Sequence, residues 1–149
     1  MKNIILDSCV VAKTFAKEKD SNQATKLIDQ CVAQHIKIIA PGIIEYELLQ
    51  IAIKKNLPFT EVLALFENII LSIIDIQPMR YKTWFKAGEI ANTGHTKSGF
   101  LSLYDSVYHA MAIENNGLFI TADKKHYEKS KDFGHIALLG DWNKAIKVL

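Results

Sequence analysis

The chain has 149 residues, a length that suits one domain, residues 1–149, with a real hydrophobic core. With 49% hydrophobic and 23% charged residues it is a globular rather than a disordered sequence, and a net charge of +2 neither announces nor excludes a nucleic-acid partner. The apolar run Ile4-Ile5-Leu6 is too short for a secretory signal, and the apolar stretch Val62 to Ile76 is broken by Glu67, Asn68 and Asp75, so no membrane span is expected.

Asn3 to Asp7 reads as a short buried strand, followed by a helix over Val10 to Glu18. Ser21 is the expected N-cap of a helix running to about Gln34, because Ala24, Leu27, Ile28, Cys31 and Val32 recur at spacings of three and four. Ile36 to Ala40 is a second strand, and Ile43 to Lys55 a helix stopped by Asn56-Leu57-Pro58. Thr60 is the expected cap of a helix with Leu63 to Ile70 as its body, and Leu71 to Ile76 reads as a third strand. Pro78 opens a helix to about Asn92, and Thr93 to Phe100 is a loop carrying Gly94 and Gly99. Leu101 to Asn116 is a helix ended by Asn115-Asn116-Gly117. Leu118 to Thr121 and Ile136 to Leu139 are the fourth and fifth strands, and Asp141 begins a last short helix. Short β-branched strands alternating with helices predict an α/β fold with a mostly parallel, roughly five-stranded sheet.

Four acidic residues adjoin these apolar elements: Asp7, Glu47, Asp105 and Asp123. A carboxylate beside a core costs free energy unless it is paired or holds a cation, and no Arg or Lys stands at helical spacing from Asp105. In open α/β sheets the ligand site lies beyond the carboxyl ends of the strands, where all four can meet. Clustered carboxylates suit Mg²⁺ or Mn²⁺, and with such a cation a site can ionise water at neutral pH and offset charge on a phosphate in transition. Phosphodiester hydrolysis is the chemistry this pattern points to.

Four blocks carry a family likeness: Leu6-Asp7-Ser8-Cys9-Val10, Pro41 to Ala52 with Glu47 six residues after Pro41, Tyr104-Asp105-Ser106-Val107-Tyr108-His109-Ala110, and Thr121-Ala122-Asp123-Lys124-Lys125. In this order the chain resembles the PIN-domain nucleases, most closely the VapC-type toxin ribonucleases of bacterial toxin–antitoxin pairs. The resemblance implies a three-layer α/β/α sandwich, a Mg²⁺ or Mn²⁺ requirement, endonucleolytic cleavage of RNA, a cognate antitoxin protein and a homodimer. Asp7, Glu47, Asp105 and Asp123 are then the catalytic and metal-ligating residues. Two positions depart from the family pattern: Cys9 stands where Ser or Asn is frequent, and Gln50 where Asn is frequent.

Around this set, Ser8 and Thr121 are expected to support the carboxylates from outside the ligand shell. Lys13, Lys124 and Lys125 are candidate contacts to an RNA backbone, weighed against the plainer reading of Lys124, Lys125, Lys129 and Lys131 as a solvated helix face. His109 reads as a structural partner, and Tyr108 and Trp84 either stack on bases or fill the core. Glu45 is set aside for Glu47 because of the spacing from Pro41. Phe59 to Ile76 is rich enough in apolar residues to supply a dimer or antitoxin surface, or simply core. Cys9 and Cys31 form no CxxC pair and are expected to be free thiols in a reducing cytoplasm. The rival readings are a PIN-like module that binds RNA or protein without cutting, and a domain phosphorylated on Asp7, which lacks a second Asp beside it.

Overall fold

Ile4, Ile5 and Leu6 are wholly excluded from solvent, and the sheet is built outward from them. The computed structural model describes residues 2–148. The main strands are β1 (Asn3–Leu6), β2 (Lys37–Pro41), β3 (Ile74–Gln77), β6 (Leu118–Thr121) and β7 (Ile136–Leu138). They lie in the order β3-β2-β1-β6-β7, every neighbouring pair parallel. Ile5 is in register with Ile39 on one side and Phe119 on the other. Burial on both faces explains the continuous β-branched runs, since each fully buried Ile or Leu contributes about 1.5–3 kcal/mol.

The helices α1 (Ser8–Ala12), α2 (Ser21–Ala33), α3 (Ile43–Lys54), α4 (Phe59–Leu65), α5 (Leu71–Ile73), α6 (Tyr81–Ala91), α7 (Leu103–Glu114), α8 (Lys124–Ser130) and α9 (Trp142–Val148) complete a three-layer α/β/α sandwich. The longest packed pair is α6 with α7, and α7 crosses β1, β2 and β6. A two-stranded hairpin, β4 (Gly94–His95) and β5 (Gly99–Phe100), precedes α7.

Several boundaries differ from those expected. The first helix begins at Ser8 rather than Val10, because the Asp7 side chain accepts from the Cys9 backbone N–H, and it ends at Ala12 rather than Glu18. Helical structure persists past Ile70: residues Phe66–Ile70 form a π-helical turn, and only Ile74–Gln77 is strand. Val62, Phe66 and Ile70 turn into the core while Phe59, Leu63, Ile69 and Leu71 stay exposed, so the apolar segment is half core and half surface. The helix expected from Pro78 starts at Tyr81, and the expected loop at Thr93–Phe100 contains the hairpin. After α7 the left-handed residue is Asn116, at φ 48°; Gly117 is needed for space, since a Cβ there would meet the Asn3 carbonyl oxygen at 2.7 Å. Both cysteines are free, and no helix among the described residues is long and apolar enough to cross a membrane.

Candidate active site

Strand order reverses between β1 and β6: the chain steps from β1 outward to β2 and β3, then returns to the other side of β1 for β6 and β7. The crevice beyond the carboxyl ends at such a reversal is where open α/β sheets bind ligands. Asp7 directly follows β1, and Asp123 lies two residues after β6. Glu47 projects from α3, which follows β2, and Asp105 from the first turn of α7.

Asp7 is 4% exposed. Its Oδ2 accepts from Thr121 Oγ1 at 2.6 Å, and its Oδ1 from the Cys9 N–H at 3.2 Å and from Ser8 Oγ at 3.4 Å. Burial still raises its pKa above the ordinary carboxylate value, against these hydrogen bonds. The same Thr121 Oγ1 accepts from the Asp123 backbone N–H at 3.0 Å, so one buried hydroxyl ties the ends of both strands together. Asp123 is exposed and caps α8, accepting from the His126 N–H at 3.0 Å. Glu47 is half-buried and accepts the Tyr108 hydroxyl; burial, opposed by hydrogen bonds from Tyr108 and Ser8, raises its pKa.

Among the described residues, Asp105 has no hydrogen-bond or ion-pair partner that would favour its charge. Burial, followed by repulsion from Asp7, Glu47 and Asp123, pushes its pKa up from 3.8 to about 7. Asp7 is likewise repelled by Asp123, and Glu47 by Asp7. The four acids therefore share one electrostatic neighbourhood. Among the described residues, no Lys or Arg forms a salt bridge with any of them. Equally, no group of three or more His, Cys, Asp or Glu side chains among these residues already has a geometry that holds a metal ion. The donor set fits a hard divalent cation by its chemistry, all carboxylate oxygen, rather than by a preformed shell.

A cleft of about 570 Å³ opens beside Glu47, lined by Ser8, Tyr46, Glu47, Gln50, Lys54 and Tyr104 together with Ile43 and Ile51. It shares Ile43, Tyr46 and Tyr104 with a second groove of about 540 Å³. That groove is mostly apolar, lined also by Ile76, Pro78, Met79 and Trp84, and has no carboxylate.

The flanking residues divide. Ser8 and Thr121 both donate hydrogen bonds to the Asp7 carboxylate. Lys13 is 7% exposed and its ammonium is engaged by Glu18 and Asp20. Lys124 and Lys125 are exposed in the first turn of α8, right after Asp123. Tyr108 is core, stacked on Phe119 with ring centroids 6.0 Å apart, and Trp84 is half-exposed. The role of Tyr108 toward Glu47 lies beyond sequence reasoning, since the two are 61 residues apart. His109 is buried, with Nε2 2.7 Å from the Gly134 carbonyl, in the structural place expected. His126 is also buried, and burial lowers its pKa to about 4, so it is neutral. Burial raises the Cys9 thiol, and the Asp7 charge raises it further, so Cys9 stays protonated.

A comparison with curated proteins finds no match. Among solved structures, the fold is similar to FitAcB from Neisseria gonorrhoeae at a TM-score of 0.68 and 16% identity, covering 91% of this chain and 95% of that one. It is similar to VapBC2 from Rickettsia felis, bound to a DNA fragment from its promoter, at 0.68 and 20%, covering 91% and 96%. It is similar to VapBC-1 from nontypeable Haemophilus influenzae at 0.68 and 15%, covering 93% and 98%. The VapC-type likeness seen in the four blocks is thus met in the fold. The PIN domain family model matches residues 4–132, which contain all four acids and the strands that place them: the chain belongs to the PIN domain family.

Proposed function

We propose that this protein is a metal-dependent endoribonuclease, the toxin of a type II toxin–antitoxin pair, which hydrolyses RNA phosphodiester bonds. One observation carries the reading: Asp105 is part-buried among three other carboxylates with no salt-bridged cation among the described residues, and burial together with their repulsion raises its pKa to about 7. In this reading Asp7, Glu47, Asp105 and Asp123 would hold Mg²⁺ or Mn²⁺, directly or through water. When bound, a divalent cation supplies the charge that acidifies a water and stabilises the leaving oxygen.

The chain's own residues prepare that site. Thr121 and the Cys9 N–H direct hydrogen bonds at Asp7 that favour its ionised form, and Tyr108 does the same for Glu47. Buried Thr121 and the α8 cap fix where Asp123 starts. Lys124 and Lys125 are placed to attract the RNA backbone beside Asp123. The VapBC and FitAcB structures that the fold resembles support a cognate antitoxin as partner; the exposed side of residues 59–71 is one apolar surface that would be open to it or to a second copy of the chain.

Purified protein incubated with transfer and ribosomal RNAs should cut them with Mg²⁺ or Mn²⁺ and not with chelator, and Asp105→Asn should be inactive yet folded. Full activity of that variant overturns the assignment. A second reading, a PIN-like RNA- or protein-binding module that is catalytically weak, draws on the unclosed ligand geometry and on Cys9 beside Asp7. Metal-independent RNA binding without turnover would favour it.

A further inference from the structure

Resting on the nuclease reading, we infer that Lys54 is a positioning residue for the substrate: it holds an RNA phosphate in the Glu47 cleft, away from the one that is cut. Glu47, Gln50 and Lys54 all line this cleft, and their spacing of three and four puts them on one face of α3. Seven residues of helix set Lys54 about 10 Å from Glu47 along the axis. That face therefore runs from carboxylate through amide to ammonium, leading away from the acids.

Among the described residues, Lys54 is the one cation that lines the cleft. It is exposed and forms no salt bridge among the described residues. Its neighbour Lys55 contrasts with it, since that ammonium is engaged by Glu18. A polyanion that approaches the four carboxylates meets repulsion, so an unpaired cation in the cleft that Glu47 lines has an evident use: it draws the strand in where the acids push it away. Tyr46 and Tyr104, both largely exposed, stand on the cleft wall where the bases of an unpaired strand would lie.

The test is binding of a labelled single-stranded oligoribonucleotide by the Asp105→Asn protein, followed by fluorescence anisotropy across a salt series. Adding Lys54→Gln should weaken binding several-fold and reduce the log–log salt slope by about 0.7, the value for one lost phosphate contact on a single strand. Lys54→Arg should restore both. Lys37→Gln is the control: Lys37 begins β2, at the opposite end of the strand from the site, and pairs with Asp75. In the cleaving protein the Lys54→Gln loss should appear as a raised KM. Unchanged affinity and slope in Lys54→Gln, or an equal loss in Lys37→Gln, overturns the inference while the nuclease reading stands. Absence of RNA cleavage with any divalent metal overturns the nuclease reading, and the anisotropy series still decides the lysine.

Discussion

Two acidic clusters of this protein use the same side chains to opposite ends. At the start of α2, Glu18 and Asp20 surround the buried Lys13, and Lys55 reaches Glu18 from the end of α3. Hydrogen bonds from Lys13 and Lys55 pull the Glu18 pKa below its ordinary value. At the carboxyl edge of the sheet, Asp7, Glu47, Asp105 and Asp123 have no such cation, and Asp105 moves the other way, to about 7. The first cluster is complete and works as a clasp. The second is an uncompensated electrostatic unit, relieved by taking up a proton and, in the proposed function, by a divalent cation.

The contrast can be broken most forcefully at Asp105. Asp105→Asn should cut RNA cleavage at least about a hundredfold, since loss of a ligand exceeds the loss of an outer partner, with circular dichroism unchanged. Thr121→Val removes the hydroxyl shared by Asp7 and Asp123, and should weaken apparent Mn²⁺ affinity about 10–100-fold, read from the metal dependence of cleavage. Mn²⁺ at a hundredfold excess over its Kd should stabilise the wild type by about 2.7 kcal/mol and raise Tm by about 5–10 °C, a shift that vanishes in Asp105→Asn. Lys13→Met breaks the clasp and should cost about 1–2 kcal/mol, discounted because Glu18 and Asp20 are part-exposed, yet leave the Mn²⁺ shift intact. A Mn²⁺ shift lost in Lys13→Met would show that the two clusters are not separate.

The smallest effect is in pH. A folded-state pKa raised above the unfolded value stabilises the protonated form, so in the absence of metal the Asp105 contribution is present below about pH 4 and is lost as pH rises toward about 7. Glu18 has the opposite sign: its contribution is present above its ordinary pKa of 4.5 and is lost on acidification through the lowered folded value. Chemical denaturation with chelator across pH 4–8 should show the Asp105 decline in the wild type and a flatter curve in Asp105→Asn.

Much of the fold was legible in the sequence because its signals are local. The runs Ile4-Ile5-Leu6, Ile38-Ile39-Ala40 and Leu118-Phe119-Ile120 are strands as expected, and the stripe Ala24, Leu27, Ile28, Cys31 faces the core as expected. The misplaced boundary at 66–73 has a physical cause. A short apolar run satisfies helix and strand periods alike, and packing of Phe66 and Ile70 into the core keeps the backbone helical until Ile74. The four acids were legible as candidates because each adjoins an apolar run, Glu47 from within α3 and the others at or near element ends. Tyr108 was not legible as a partner of Glu47, nor was Lys13 as a member of a clasp, because those contacts join segments that nothing in their own neighbourhoods relates.

By itself the sequence determined the alternation of strand and helix, the acids at the element ends and the family likeness, all of which rest on periodicity and near-neighbour chemistry. Only the tertiary structure decided which charges are cancelled. Coulombic and desolvation energies depend on distance and burial in space, so Lys13 is consumed by Glu18 and Asp20 while Asp105, salt-bridged by no cation among the described residues, has its pKa raised.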